Sequence, residues 1–189
     1  MDSCTRLEEK EIKFKDLLEL QQELDNEVSN PRPNGFVPRK RTRLDIGLAM
    51  VDEFQEWLKE LPKEYNFKYW KEKGYSRERE LEELTDVLFF LLAAASETDL
   101  LKGEKEEVIE EFEIELENFD GYSYPVTLGE LISSFYAELF TGCYKQTLKC
   151  FMFWISICNI RGFTKDEVIK TYLNKWQKNM GRINKDWSK

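Results

Sequence analysis

Apolar residues recur at helical spacing along almost the whole chain, and no run of residues alternates as a half-buried strand would. All five prolines fall between the periodic segments. The periodicity predicts helices over residues 8–28, 46–61, 77–98, 104–120, 127–140, 145–161 and 165–182. We therefore expect an all-α bundle of six or seven helices, folded as a single domain over residues 1–189.

The helix predicted over 77–98 differs from the others because it is almost uniformly apolar after Leu84. A helix with apolar residues around most of its circumference belongs at the centre of a bundle. Asp45, Ser76 and Thr164 each precede a periodic segment and are predicted to cap its first turn. Gly121 and Pro125 are expected to end the strongly acidic segment over 104–120.

Composition excludes several kinds of chemistry. The 189 residues include 37 acidic and 28 basic side chains but no histidine, which removes Ser-His-Asp triads, Cys-His dyads and His-ligated zinc. The four cysteines form no Cys-x-x-Cys pair, so a thiolate zinc site is not expected. A net charge of −9 argues against nucleic acid or an anionic membrane as a partner. What remains is carboxylate chemistry with an oxygen-loving metal, or no chemistry.

Sequence features also bear on location. The first fifteen residues are rich in charge and contain no apolar core of a signal peptide. The longest apolar runs are nine residues, whereas a membrane-spanning helix needs roughly 18. We expect a cytoplasmic protein, with reduced thiols and no membrane partner.

Two acidic pairs at i, i+3 spacing stand out because of their surroundings. Glu53 and Glu56 lie at the edge of an apolar helical arc, while Glu83 and Asp86 lie in the apolar helix over 77–98. A buried carboxylate needs a cationic partner. Asp86 is therefore expected either in an ion pair with a Lys or Arg of another helix, or in a metal site made by all four carboxylates. Oxygen ligands alone favour Mg²⁺ or Mn²⁺ over zinc.

Basic residues form two groups. Lys175, Asn179 and Arg182 lie on one stripe of the last predicted helix, beside its core face. Such a stripe is compatible with simple solvation near a helix C-terminus, and equally with contacts to a polyphosphate. The second group is the basic run over 38–43, at the end of a proline-containing loop. It is either a solvated turn that balances nearby acids or a loop that faces phosphate.

Five segments together resemble the dimeric, all-α dUTPase family of phages, some bacteria and trypanosomatids, within the all-α NTP pyrophosphatases. They occur in the family's order between residues 18 and 182. The matching segments are 18–25 (LELQQELD), 53–56 (EFQE), 67–70 (FKYW), 81–90 (LEELTDVLFF) and 162–168 (GFTKDEV), the last leading to Lys175, Asn179 and Arg182. Residues 100–145 match poorly, which predicts a variable acidic insertion there.

The resemblance implies a function and a role for each matching residue. The expected reaction is Mg²⁺-dependent hydrolysis of dUTP to dUMP and pyrophosphate by a homodimer. Metal ligands would be Glu53, Glu56, Glu83 and Asp86, with Glu53 also orienting or deprotonating the attacking water. The remaining implied contacts are Gln21 and Trp70 to the nucleoside, Phe90 to the deoxyribose, and Lys68, Lys175, Asn179 and Arg182 to the phosphates.

Three positions depart from the family's pattern. Phe89 and Trp176 stand where the family commonly has His and Asn, and Asp186-Trp187 replaces its closing Gly-Tyr. Two alternatives therefore stay open beside dUTP hydrolysis. One is a pyrophosphatase of the same fold acting on dCTP or on a broader set of deoxynucleotides, and the other is an inactive helical module that binds a protein.

Overall fold

The structure, a computed structural model, describes residues 11–97, 102–121, 125–140, 143–183 and 185. Within these residues it contains seven α-helices, one short 3₁₀ turn and no strand, so the predicted all-α fold is confirmed. The helices are α1 (Phe14–Ser29), α2 (Arg43–Glu60), α3 (Arg77–Ser96), α4 (Lys102–Glu117), α5 (Leu128–Glu138), α6 (Tyr144–Ile160) and α7 (Lys165–Arg182), with the 3₁₀ turn at Phe119–Gly121.

Most predicted helix starts agree with the structure, but those of the first two helices do not. The prediction that the first helix starts at residue 8 is wrong, because residues 11–13 are not helical and α1 begins at Phe14 after the N-cap Lys13. The prediction that Asp45 caps α2 is wrong, because Thr42 is the N-cap and its side chain accepts a hydrogen bond from the Asp45 backbone N–H. The Asp45 carboxylate in turn accepts from the Thr42 backbone N–H at 2.8 Å, which completes a capping box. Ser76 and Thr164 cap α3 and α7 as predicted.

Helix α3 is the centre of the bundle, as its apolar sequence predicts. It packs against α1, α2, α6 and α7, and its residues from Leu84 to Ala93 are buried apart from Asp86 and Phe90. The Trp154 indole N–H of α6 donates to the Leu84 carbonyl at 2.8 Å. Because α3 touches four other helices, every side chain from Leu84 to Ser96 is buried or half-buried.

Helix α6 ends in a turn that fixes the start of α7. Gly162 has a φ of +72°, a conformation that residues with a Cβ rarely adopt. The Gly162 N–H donates to the Asn159 carbonyl and the Phe163 N–H to the Cys158 carbonyl, both at 2.9 Å, which is a Schellman motif. This turn sends α7 back across α1 and α3.

Helices α4 and α5 lie largely away from those contacts. Helix α4 packs on α1 and α6, and α5 packs on α6. Most of the acidic side chains of α4 and of the 3₁₀ turn that follows it are exposed or half-buried, while Phe112 and Leu116 are buried. No helix in the described part of the chain is long and apolar enough to cross a membrane.

Candidate active site

A cavity of about 430 Å³ lies where α1, α2, α3 and α7 meet. Charged and amide side chains line it together with four apolar ones. They are Gln21, Leu24, Asp25, Val28, Arg41, Glu53, Asp86, Phe89, Phe90, Lys175, Lys178, Asn179 and Arg182. Seven predicted site residues, of which the first and last are 161 positions apart in the chain, therefore meet in one cavity: Gln21, Glu53, Asp86, Phe90, Lys175, Asn179 and Arg182.

Three carboxylates form a cluster at this cavity, in which Glu53 and Asp86 line the cavity and Glu83 does not. Glu53 of α2 and Glu83 and Asp86 of α3 each place an oxygen within 4.8 Å of the other two. The spacing of three residues puts Glu83 and Asp86 on the same face of α3, and the packing of α2 on α3 brings Glu53 to that face. Three half-buried oxygen donors without nitrogen or sulfur are a ligand set that fits Mg²⁺ or Mn²⁺.

The cluster holds more negative charge than its surroundings balance. Partial burial, with Asp86 and Glu83 nearby, raises the pKa of Glu53 to about 7. Burial also raises the pKa of Glu83, with Asp86 as the next cause, and burial raises the pKa of Asp86 although Lys175 opposes the shift. A divalent cation would relieve both the burial and the mutual repulsion of these carboxylates.

Asp86 also makes the ion pair that the sequence left open. The Lys175 ammonium of α7 donates to Asp86 Oδ2 at 2.5 Å and to the Glu82 carbonyl at 3.0 Å. One ammonium against three carboxylates leaves a surplus of negative charge. The ion pair therefore occurs, but it accounts for only part of the cluster.

Three of the predicted site residues lie elsewhere. The Glu56 carboxylate accepts from the Lys59 ammonium at 2.5 Å and is not part of the cluster of three. Lys68 and Trp70 lie in the connection between α2 and α3 and do not line the cavity. The Trp70 side chain is 61% exposed. Their roles in metal and substrate binding stay predictions.

At the other end of the cavity, buried aromatic side chains attach α7 to α1. Tyr172 stacks on Phe89 with ring centroids 4.4 Å apart. Its hydroxyl lies 3.4 Å from two acceptors on α1, Gln21 Oε1 and the Leu17 carbonyl oxygen. The Trp176 indole N–H donates to the Leu20 carbonyl at 2.8 Å. The aromatic residues at 89 and 176, where the family commonly has His and Asn, therefore belong to the packing that holds the cavity wall.

Asp25 and Lys178 line the cavity but were given no role from the sequence, while Arg41, which also lines it, belongs to the basic run over 38–43 noted above. Asp25 follows Gln21 by four residues on α1, so the i, i+4 spacing could have placed both on one face. Lys178 follows Lys175 by three residues for the same reason. Arg41 belongs to the irregular loop before α2, and no periodic signal applies to it.

Fold and site together define a class: an all-α protein with a carboxylate cluster facing basic side chains across a nucleotide-sized cavity. Residues 13–187 match the sequence model of the family described as dUTPase, so the chain belongs to the dUTPase family. It is a hydrolase of nucleotide metabolism, a dUTP diphosphatase that hydrolyses dUTP. The functional prediction is thereby confirmed at the level of the family. No curated protein matches the chain significantly.

Proposed function

We propose that dUTP is hydrolysed to dUMP and pyrophosphate in this cavity, with Mg²⁺ held by Glu53, Glu83 and Asp86 and with Mn²⁺ as a possible substitute. The observation that carries the proposal is the approach of these three carboxylate oxygens to within 4.8 Å of one another, facing a cavity that Lys175 and Arg182 also line. Glu56 is the fourth proposed ligand, and it would have to leave its contact with Lys59.

Bound metal would supply charge neutralisation on phosphate oxygens and a more acidic water. Glu53 is suited to orient that water and accept its proton, because its carboxylate belongs to the cluster and lines the cavity. Water adds to phosphorus, the anhydride bond between the α- and β-phosphates breaks, and pyrophosphate leaves with the electron pair. Lys175, Asn179 and Arg182 would hold the triphosphate and absorb charge on the leaving group.

The nucleoside would occupy the other end of the cavity. Gln21 lies there, and half-buried Phe90 offers an apolar surface to the deoxyribose. Lys68 and Trp70 are proposed as further contacts to the phosphates and the nucleoside, since they belong to the matching segment over 67–70. They would reach the substrate only after a movement of their connection or from a second subunit.

The test is pyrophosphate release from dUTP, dCTP, dTTP, dATP and dGTP, each with Mg²⁺, with Mn²⁺ and with EDTA. We expect dUTP to be the best substrate and EDTA to abolish turnover. An Asp86→Asn variant should lose metal-dependent turnover while remaining folded by circular dichroism. Equal or faster turnover of dCTP would favour the broader pyrophosphatase, and no turnover of any nucleotide would favour the inactive binding module.

We also propose a homodimer. Leu44 and Leu48 lie one turn apart on α2 and are 61% and 53% exposed, and exposed Phe140 lies against Gly47 of the same helix. Light scattering should give twice the mass of the chain, and Leu48→Glu should shift it toward the monomer.

A reducing, cytoplasmic location is proposed because the free thiols of Cys143, Cys150 and Cys158 suit that compartment.

A further inference from the structure

Two buried aromatic side chains attach α7 to the backbone of α1. The Trp176 indole N–H donates to the Leu20 carbonyl oxygen at 2.8 Å, and the Tyr172 hydroxyl lies 3.4 Å from the Leu17 carbonyl oxygen. Tyr172 is 0% exposed and Trp176 is 5% exposed. The two aromatic residues are one turn apart on α7, and their acceptors are about one turn apart on α1. These contacts therefore fix both the position of α7 on α1 and its rotation about its own axis.

The rotation of α7 decides where its polar stripe points. The stripe consists of Lys175, Asn179 and Arg182, and all three residues line the cavity. It lies beside the face that Tyr172 and Trp176 occupy, because Trp176 directly follows Lys175 in the helix. A rotation of α7 by the angle between consecutive residues, about 100°, would carry the stripe out of the cavity.

Trp176 is the buried contact closest to most of this stripe. It is the last buried residue of α7, and residues 177–182 are all exposed or half-buried. Packing within that stretch therefore contributes little to the position of Asn179 and Arg182. Their direction depends on the rotation that the preceding turn of the helix has at Trp176.

We propose that Trp176 is a positioning residue for the reaction, which holds α7 in the rotation at which its polar stripe meets the triphosphate. Trp176 does not line the cavity, so it acts through the stripe and not by contact with the substrate. A binding surface that the fold already holds in place costs less conformational entropy when the substrate binds. This inference rests on the proposed function, since it assumes that the stripe binds the triphosphate.

Steady-state kinetics with dUTP and Mg²⁺ test this role. Trp176→Leu keeps an apolar side chain but removes the indole N–H and the large ring, so KM should rise about tenfold. The value of kcat should stay within about threefold of the wild type, because the bound triphosphate then holds the stripe itself. Trp176→Phe restores a large ring and should recover part of the loss in KM.

Trp154 of α6 provides the matched control. Its indole N–H donates to the Leu84 carbonyl oxygen at 2.8 Å and its side chain is 1% exposed, so it makes the same kind of buried hydrogen bond. Trp154 does not line the cavity. Trp154→Leu should lower the melting temperature about as much as Trp176→Leu does, but it should leave KM unchanged. A role of Trp176 in stability alone would give the two variants the same kinetics.

Hydrogen exchange without nucleotide provides a second measurement, which already tests the wild type. Its amides over 174–179 should exchange as slowly as those over 168–173, since the helix is held on α1 as far as Trp176. In Trp176→Leu the amides over 174–179 should exchange faster. Addition of Mg²⁺ and a non-hydrolysable α,β-imido analogue of dUTP should slow them again.

Failure of this inference is distinguishable from failure of the proposed function. Wild-type protein that hydrolyses no nucleotide would overturn the proposed function, and this inference with it. An active wild type would overturn this inference alone if its amides over 174–179 exchanged rapidly without nucleotide. The same holds if folded Trp176→Leu had the KM of the wild type, or the same kinetics as Trp154→Leu.

Discussion

Helix α3 carries the carboxylate of Glu80 and, one turn further along, those of Glu83 and Asp86. The two positions differ in how their negative charge is balanced. Glu80 is fully buried, and Arg161 of α6 donates to its two carboxylate oxygens at 2.6 and 3.0 Å. Glu83 and Asp86 are only half-buried, yet in the described part of the chain the cluster that they form with Glu53 has one ion pair, between Asp86 and Lys175. Burial alone would point to Glu80 as the unusual residue, whereas charge balance points to the cluster.

This difference in charge balance distinguishes the Glu80 carboxylate, which stabilises the fold, from the carboxylates of the cluster, which are available to bind a metal. Arg161 matches Glu80 in charge and geometry, and its guanidinium also lies 5.2 Å from the Tyr65 ring centroid. This pair therefore fastens α3 to α6 and to the connection after α2. In the cluster, the negative charge of the carboxylates is not fully balanced by neighbouring cations. Such unbalanced charge is typical of sites that bind metals or substrates, whereas a structural ion pair is balanced.

The largest expected effect is on catalysis at the cluster. Glu53→Gln keeps the shape of the side chain but cannot accept a proton, so kcat for dUTP should fall by about a hundred- to ten-thousand-fold. Stability without metal should not decrease, because the substitution removes a carboxylate that Glu83 and Asp86 repel. Turnover and thermal unfolding in EDTA are the measurements. Full activity of Glu53→Gln would remove Glu53 from the reaction.

Breaking the ion pair between Glu80 and Arg161 should lower stability and leave metal binding unchanged. Arg161→Met leaves the Glu80 carboxylate buried without its partner, and we expect a loss of about 3–5 kcal/mol in the free energy of unfolding. The affinity for metal should stay close to that of the wild type. Urea denaturation and a Mn²⁺ titration measure the two quantities.

The control for that prediction is Arg79→Met on the same helix. Arg79 contacts Glu60 at 3.6 Å and is 54% exposed, so its loss should change stability by at most about 1 kcal/mol. Equal destabilisation by Arg161→Met and Arg79→Met would mean that the buried ion pair between Glu80 and Arg161 stabilises the fold no more than an exposed one.

The sequence predicts the positions of the helices and of the acidic residues, but it does not predict which residues form long-range ion pairs. Periodicity located all seven helices and the central place of α3, because apolar burial repeats with the helix. It also placed Glu83 and Asp86 on one face. The pair of Glu56 and Lys59 also has an i, i+3 spacing, which places the two side chains together on a helix. The partner of Glu80 could not be predicted in this way, because Arg161 reaches it across 81 positions. Such contacts depend on tertiary distances and side-chain rotamers, which no local pattern encodes.

An intermediate effect is expected where α7 contacts the phosphates. Arg182→Ala should lower kcat/KM for dUTP about ten- to hundred-fold, since a charge-assisted hydrogen bond is worth about 1.5–3 kcal/mol. Arg182 is exposed at the end of α7, so thermal stability should hardly change. Lys170→Ala removes an exposed cation from the same helix away from the cavity and should leave kcat/KM unchanged. Equal kinetics for both variants would exclude Arg182 from substrate binding.

The smallest expected effect is a pH dependence of stability that originates in the cluster. The pKa of Glu53 is raised from 4.5 to about 7, so between these values the metal-free folded chain keeps a proton that the unfolded chain has released. Stability in EDTA should therefore fall as the pH rises through this interval.

The fall should be smaller in Glu53→Gln. The control is Glu19→Gln, which removes the same charge from an exposed position of α1 and should follow the wild type. Melting temperatures at several pH values measure the difference. Parallel curves for wild type and Glu53→Gln would show that the cluster does not hold this proton, while added Mg²⁺ should stabilise the wild type more at higher pH, because metal binds the deprotonated carboxylates.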